Sequence, residues 1–438
     1  MSDRGANPGP ASASAESVTR SGPQRAALVG LVTSSGGRTD AEQSLEELEG
    51  LANAAGAEVV LRFLQERPKP DPATFLGSGK VELLRAACDE ARADLIIFDN
   101  ELTPAQLRNL ERETHQPVLD RTQLILDIFA RRARTREGQM QVELAQLKYL
   151  MPRLVGSAAA LSRLGGGIGT RGPGETKLET DRRRIRHRIS TITKQIADVK
   201  RRRAQLRERR QEGMTPSVAL VGYTNAGKTT LFNRLANETA VASNALFVTL
   251  DPLIRVVRLA ERQEILLSDT VGFIDRLPHG LVAAFRATLE EVTEADLLLH
   301  VIDVSNPEHE RHIEAVGRVL GEIEAQDVPM LLVFNKWDQV SAEERQRLKA
   351  RAPAAIPLSA QSGEGVDELR QAVVQRLSLE TQRVTLEFDE QDESDRQRIA
   401  RLYRHASVRS HHATEGRVSI EADVPRRLLG RLTAVPVR

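Results

Sequence analysis

Behind the glycines of Gly222-Tyr223-Thr224-Asn225-Ala226-Gly227 sit Lys228 and Thr229, between an apolar run (VALV) and a helical pattern. That is phosphate-loop spacing in the place it must occupy. Glycines let the backbone wrap close to phosphates, and successive N–H groups with the helix N-terminus face the negative charge. Lys228 reaches the β- and γ-phosphates, and the Thr229 hydroxyl ligates magnesium. A glycine-rich junction with no ligand is the plain alternative, and strand before with helix after weighs against it. Asp269-Thr270-Val271-Gly272 ends the strand-like EILLS. Its carboxylate can hold magnesium, directly or through water, and Gly272 can offer its N–H to a γ-phosphate with no Cβ in the way. Alone, DxxG signals almost nothing; downstream of a phosphate loop it is strong. Asn335-Lys336-Trp337-Asp338 ends another strand-like run, MLLVF. A carboxylate at Asp338 accepts two hydrogen bonds from the N1–H and exocyclic amine of guanine, donors that adenine lacks as a pair. Sites of this kind discriminate by about 10⁴ or more. Asn335 would tie this loop to the phosphate loop, and Ser359-Ala360, with Gln361 beside them, would cap the base through backbone N–H. Ser359 alone reads equally well as a turn residue. The ordered set reads as a site for GTP with magnesium.

Between the phosphate loop and DxxG lies Leu246-Phe247-Val248-Thr249-Leu250-Asp251-Pro252. A threonine in this stretch can close over magnesium only while a γ-phosphate is present, which makes the stretch a switch. Spacing alone leaves both Thr239 and Thr249 as candidates. The residue after Gly272 is Phe273, not a glutamine that could orient an attacking water. Slow hydrolysis by the isolated chain follows, accelerated by a partner that supplies or orders the missing group. Asn225 is a candidate to help hold a potassium ion beside the phosphates, as in some related GTPases.

Positive charge collects elsewhere. Residues 182–210 hold 13 Lys/Arg against two acids, Asp198 and Glu208. A charge run is often only the solvated face of a helix, but one this unbalanced repels itself unless phosphates or acids lie opposite. RNA is the natural partner. No aromatic platform for base stacking is evident, so shape and phosphate contacts dominate over sequence readout. Gly167-Ile168-Gly169-Thr170-Arg171-Gly172 matches GxGxxG literally, yet no strand leads into it and no βαβ unit follows, so it is not a dinucleotide site. It reads as a flexible tip with Arg153, Arg163, Arg171 and Lys177 around it.

The elements that must position these groups follow from periodicity. The chain has 438 residues and a formal net charge of +1, enough length for two or three domains. Residues 1–24 read as a disordered tail with no apolar core of a secretory signal. Cys88 is the lone cysteine, which excludes a disulfide framework and a thiolate cluster and fits a cytoplasmic protein. No apolar run reaches the ~18 residues of a membrane span. Over 25–121, AALVGLV, AEVVLRFL, DLIIFDN and PVLD alternate with helices at Leu45–Ala55, Val81–Ala93 and Pro104–Thr114, the last capped by Thr103. This is a small parallel α/β domain. Over 122–213, a helical pattern from Thr122 to Leu150, broken near Gly138, precedes a second with Ile185, Ile189, Ile192, Ile196 and Val199 on an a/d stripe. Together they predict an antiparallel helical hairpin, with Gly213 and Pro216 marking a linker. Residues 214–380 form a second α/β domain with VALVG, RVVRL, EILLSD, LLLHVID, MLLVFNK and AAIPLSA as strands, the P-loop GTPase domain. Residues 381–438, with VTLEF and RVSIEADV around a helix at Ser394–Tyr403, read as a small α+β domain.

GGGIGTRGPGETKLETDRR (Gly165–Arg183), with GYTNAGKTT, LFVTLDP, DTVGF and NKWD, resembles the HflX family of GTPases. The resemblance spans roughly residues 25–380. It selects Thr249 over Thr239 and implies magnesium ligands at Thr229 and Thr249, with Asp269 beside them. It places Phe247, Val248, Leu250 and Asp251 with the nucleotide. Lys228, Thr249 and Gly272 are the groups expected to act in hydrolysis. It further implies a cytoplasmic monomer, at most peripheral to the membrane, that binds the large (50S) ribosomal subunit and its rRNA and splits stalled ribosomes under stress. In that picture the hairpin tip reaches rRNA near the peptidyl-transferase centre. Some members are said to bind ATP in the amino-terminal domain. Gly77-Ser78-Gly79-Lys80 is the nearest stretch here, and a helix N-terminus explains it better.

Overall fold

Four short apolar runs become one fully parallel sheet, in the order β2-β1-β3-β4: β1 (Gln24–Val32), β2 (Ala57–Glu66), β3 (Leu95–Phe98) and β4 (Val118–Asp120). The computed structural model describes residues 23–33, 37–154, 177–212, 215–237, 246–247, 249–260, 263–275, 289–414 and 416–433. The glycine-rich tip at 165–172, with Arg163, lies outside these residues, as do Thr239 and Val248. All four residues of β3 are buried, as expected of a strand covered on both faces. Helices α1 (Arg38–Ala54) and α2 (Ser78–Ala91) turn Leu45, Leu48 and Leu51, and Val81, Leu84 and Cys88, inward at helical spacing. Helix α3 (Pro104–Thr114) opens on a capping box between Thr103 and Gln106, worth about 1 kcal/mol.

The next helix departs from expectation. The pattern after residue 121 was expected to run into the hairpin with a break near Gly138. It breaks earlier, into α4 (Arg121–Arg132) and α5 (Arg136–Leu150), and α4 packs on the sheet. The reason lies in TQLILDIFA. Leu124, Ile125, Leu126, Ile128 and Phe129 are all buried, and a helix apolar on so many sides must be covered all round. The sheet and α1 cover one side of α4. The other side meets Phe247 and the second domain. One apolar cluster therefore runs from Leu45 and Leu48 through Phe129 to Val221, Val271 and Phe273. The two α/β domains share a core rather than hanging on a linker.

Helices α5 and α6 (Lys177–Glu212) make the hairpin. Met140, Leu144 and Leu147 pack with Ile185 and Ile192, and Glu143 pairs with Arg188 at 2.6 Å. The expected stripe is the seam.

The second sheet runs β10-β9-β8-β5-β7-β6: β5 (Ser217–Val221), β6 (Leu253–Ala260), β7 (Gln263–Asp269), β8 (Leu297–Asp303), β9 (Met330–Asn335) and β10 (Ile356–Pro357). All pairs are parallel except β6 with β7. The break between Ala260 and Gln263 is too short for a crossover, so those strands can only form a hairpin. Helix α7 (Lys228–Ala236) leaves the central strand β5, and α8 (His309–Glu322), α9 (Ala342–Arg351) and α10 (Val366–Arg376) follow. The carboxyl ends of β5, β7, β8 and β9 thus face one crevice, where ligands of open α/β sheets bind. The last unit is an antiparallel sheet, β11 (Thr381–Asp389), β13 (Arg417–Pro425) and β12 (Ser407–Thr414), with α11 (Glu393–His405) and α12 (Arg426–Thr433) on one face. Strand β12 was not foreseen; its SVRSHHAT has little apolar alternation.

Candidate nucleotide site

Strand β5 ends at Val221, and the chain turns through Asn225 (φ 61°) and Gly227 (φ 93°) into α7. A Cβ on Gly227 would lie 2.2 Å from the Asn335 carboxamide, so only glycine fits where the two loops touch. That carboxamide is the tie expected from sequence. It donates to the Ala226 carbonyl at 2.7 Å and accepts the Ala360 N–H at 2.9 Å. Lys228 is buried, and its ammonium donates to the Gly222 and Tyr223 carbonyls at 3.0 and 2.7 Å. Burial pulls its pKa down to about 8 although Asp269 opposes the shift.

Three oxygen groups meet beside it. The Thr229 and Thr249 hydroxyls lie 2.9 Å apart and donate to Asp269 Oδ2 at 2.8 and 2.9 Å. Asp269 Oδ1 is buried with no hydrogen-bond partner among the described residues, and burial raises this carboxyl's pKa. A hard oxygen set with an orphaned carboxylate oxygen fits a magnesium ion. Thr229, Thr249 and Asp269 would hold it, and when bound it would neutralise charge on a terminal phosphate.

DTVG lies against the phosphate loop. The Phe273 N–H donates to the Gly222 carbonyl at 3.1 Å, and the Thr224 N–H to the Phe273 carbonyl at 2.7 Å. A Cβ on Gly272 would meet Thr224 Cα at 2.9 Å and Lys228 Nζ at 3.1 Å. Gly272→Ala is therefore expected to force the two loops apart and lower GTP turnover about 100-fold, with GDP affinity less affected. A phosphate-release assay beside fluorescent-GDP titration checks it; unchanged turnover would remove Gly272 from the site.

A cavity of about 550 Å³ joins these groups to the base loop. Thr224, Asn225, Gly227, Lys228 and Thr229 line one end, with Phe247, Thr249, Thr270 and Gly272. Asn335, Lys336, Asp338, Ser359, Ala360 and Gln361 line the other. Asp338 is exposed to this space, and Lys336 (φ 59°) is pinned to Asp303 at 2.6 Å. Ser359 and Ala360 were expected to offer backbone N–H groups to the base. Those groups are engaged within the protein, with the Glu364 carbonyl at 2.9 Å and the Asn335 carboxamide.

Several expected contacts turn elsewhere. The Tyr223 side chain leaves the pocket: its hydroxyl donates to Glu47 and accepts the Asp275 N–H at 2.8 Å, and its ring stacks on His312 at 3.8 Å. Burial and Glu47 push its pKa upward, so the phenol stays protonated. Trp337 is buried against Phe334, beneath Arg345 and Lys349. Leu250 and Val271 are in the shared core. Phe247 touches the cavity, but its ring packs edge-on against Phe129 at 4.7 Å, a pair worth about 0.5–1.5 kcal/mol beyond its area. Asp251 bonds to the start of α5: Oδ2 accepts the Arg134 and Thr135 N–H at 2.8 Å each, and Oδ1 accepts the Thr135 hydroxyl. A helix N-terminus attracts a carboxylate, which is why it sits there. Gly222 and Ala226 contribute backbone carbonyls, to the Lys228 ammonium and to the Asn335 carboxamide. Thr230, the last residue of GYTNAGKTT, was given no role from sequence and lines the cavity; sequence reasoning missed Gln339, which also lines it, and Arg234, which braces the Ala360 carbonyl at 3.3 Å. Gln339 adjoins a motif, the one signal that could have found it.

Three family models match: GTP-binding GTPase N-terminal at 42–130, GTP-binding GTPase Middle Region at 132–210, and 50S ribosome-binding GTPase at 217–336. The chain is 54% identical over 298 residues to a GTPase HflX of Alkalihalophilus pseudofirmus, covering 68% of this chain and 70% of that one. It is 46% identical over 385 residues to a GTPase HflX of Escherichia coli K12, covering 87% and 90%. Among solved structures, a GTP-binding protein of the archaeon Sulfolobus solfataricus in complex with GDP is 25% identical, with a TM-score of 0.43, over 81% of this chain and 98% of that one.

Proposed function

The chain belongs to the HflX family of ribosome-associated GTPases, and from that premise we propose that it is a switch whose GTP state holds the basic hairpin ready for the large ribosomal subunit. The observation that carries this is one cavity lined by Lys228, Thr229, Thr249 and Asp338, with Asp269 bonded behind the two threonines, joined through a continuous core to the hairpin's root. GTP is hydrolysed to GDP and phosphate. Lys228 binds the β- and γ-phosphates, Thr249 and Gly272 close on the γ-phosphate end, and Asp338 accepts the two guanine donors. Asn225, which lines the cavity, is the residue we assign to help hold a potassium ion. Phe273 is buried in the shared core and orients no water, which supports slow unaided turnover. Binding to 50S rRNA, with splitting of stalled ribosomes under stress, is the function we assign to the GTP state. No helix among the described residues is long and apolar enough to cross a membrane.

The hairpin's apolar stripe is consumed by its own partner helix, which leaves its charged face for binding. On that face, Arg186, Lys194 and Arg202 are exposed and make no hydrogen bond or ion pair to another described residue. Changing all three to glutamine is expected to flatten the slope of log affinity against log salt by about 2. Co-sedimentation with purified 50S subunits across a potassium chloride series, with a GTP analogue and with GDP, reads both slope and switch. Equal binding with the two nucleotides would refute the switch, and an unchanged slope would refute the RNA-facing hairpin.

A further inference from the structure

We propose that Asp251 is a positioning residue that ties the nucleotide-sensing Thr249 to the basic hairpin, so that the state of the metal site sets the placement of α5 and α6. The inference rests on the reading of Thr249 given above and deepens it.

Thr249 stands between two anchors. On one side Phe247 is buried against Phe129 of α4. On the other, Asp251 accepts three hydrogen bonds from Arg134 and Thr135, in the elbow between α4 and α5. Thr135 is itself the N-cap of α5, its hydroxyl accepting the Gly138 N–H at 3.0 Å. The approach is close enough to dictate sequence on the helix side. A Cβ on Gly138 would lie 2.3 Å from Asp251 Oδ1. Two residues of extended chain span only about 7 Å, so the tether between Thr249 and Asp251 holds little slack. A shift of Thr249 of several ångström when the γ-phosphate is lost must break the Asp251 bonds or drag the elbow.

Downstream of the elbow, the hairpin moves as one piece. The seam of Met140, Leu144 and Leu147 with Ile185 and Ile192 and the Glu143–Arg188 pair bind α5 to α6. A displacement at the first turn of α5 is therefore delivered to the basic face of α6. The bistable element is the α4–α5 elbow, and Thr249 is the group through which nucleotide biases it.

Amide hydrogen exchange of the full chain, with magnesium and either GDP or a non-hydrolysable GTP analogue, tests the tie. In the unmodified protein, exchange at residues 246–250 and at the first turn of α5 is expected to differ about tenfold between nucleotides. Asp251→Ala keeps nucleotide affinity within about threefold and keeps the difference at 246–250, but reduces that at α5 to within about twofold. Gly138→Ala, which pushes the carboxylate out from the helix side, gives the same loss and carries the test should Asp251→Ala fail to fold. A nucleotide-dependent difference at α5 that survives either substitution overturns the proposal. So does a large fall in nucleotide affinity in Asp251→Ala, which would make Asp251 a ligand contact. A difference at 246–250 with none at α5 in the unmodified protein sinks the tie and leaves the switch intact. No difference at 246–250 at all removes the reading of Thr249 itself.

Discussion

Asp338→Asn is expected to lower affinity for GTP by about 10³-fold and to raise that for xanthosine triphosphate into the range GTP had. In the proposed reading the carboxylate accepts both the N1–H and the exocyclic amine of guanine. The asparagine amide turns one acceptor into a donor, which then faces the guanine amine donor to donor. Xanthine carries a carbonyl at that ring position, so the same amide can pair with it. The structure makes the substitution a clean one. Asp338 is exposed and has no hydrogen bond or ion pair to another described residue, so folding stability is expected to change by no more than about 0.5 kcal/mol. The frame of the loop hangs on Asn335, which bonds to Ala226 and Ala360 and is untouched. Competition titrations with fluorescent guanosine and xanthosine nucleotides give the ratio directly. GTP affinity within twofold of the unmodified protein would refute the base assignment.

Arg121→Met is expected to cost about 3–5 kcal/mol of stability, the penalty for breaking a buried ion pair and leaving its carboxylates behind. Arg121 is 3% exposed at the start of α4. Its guanidinium donates to Asp99 at 2.8 Å, to Glu47, and to the Asp275 carbonyl at 3.3 Å. Burial opposes its charge, but Glu47 and Asp99 more than offset this and hold its pKa above the ordinary value. Three segments meet here: α1 through Glu47, the end of β3 through Asp99, and the chain just past DTVGF through Asp275. Asp275 is held from the far side by Arg311 at 2.7 Å and Arg318 at 3.0 Å. The loss will therefore appear as weakened docking between the two α/β domains as well as a lower denaturation midpoint. Urea unfolding followed by the single tryptophan, Trp337, reports the second domain, and far-ultraviolet circular dichroism reports both. Coincident transitions in the unmodified protein that separate in Arg121→Met would be the signature. A midpoint unchanged within error would show that this network holds nothing together.

Both substitutions probe residues of different legibility. That Asp338 faces the cavity was readable because its position is local: it lies in four consecutive residues at the end of a strand. The same holds for Lys228, Thr229 and Asp269, each delivered by the turn or strand in which it lies. Arg121 carried no such signal. Its partners are 74, 22 and 154 positions away, and nothing in the residues around it names them. Asp251 was misplaced for a related reason. The described residues of the stretch Leu246–Pro252 are in neither helix nor strand, so no periodicity says which way each side chain faces, and the positive φ of Phe247 redirects the chain. Tyr223 and Trp337 lie inside ligand-binding motifs, yet their rings are large and apolar and are drawn into neighbouring cores.

From its amino acids alone, this chain's ligand, the strands of its two larger sheets and its basic hairpin seam were determined, because phosphate wrapping and amphipathic periodicity are properties of short contiguous stretches. Tertiary structure alone decided that α4 is a shared core helix, that Tyr223 and Arg121 join the domains, and that Asp251 grips the hairpin's root. Those outcomes depend on which distant surfaces remain to be covered once the local elements exist. Burial is a property of the whole assembly of elements, and no window of sequence contains it.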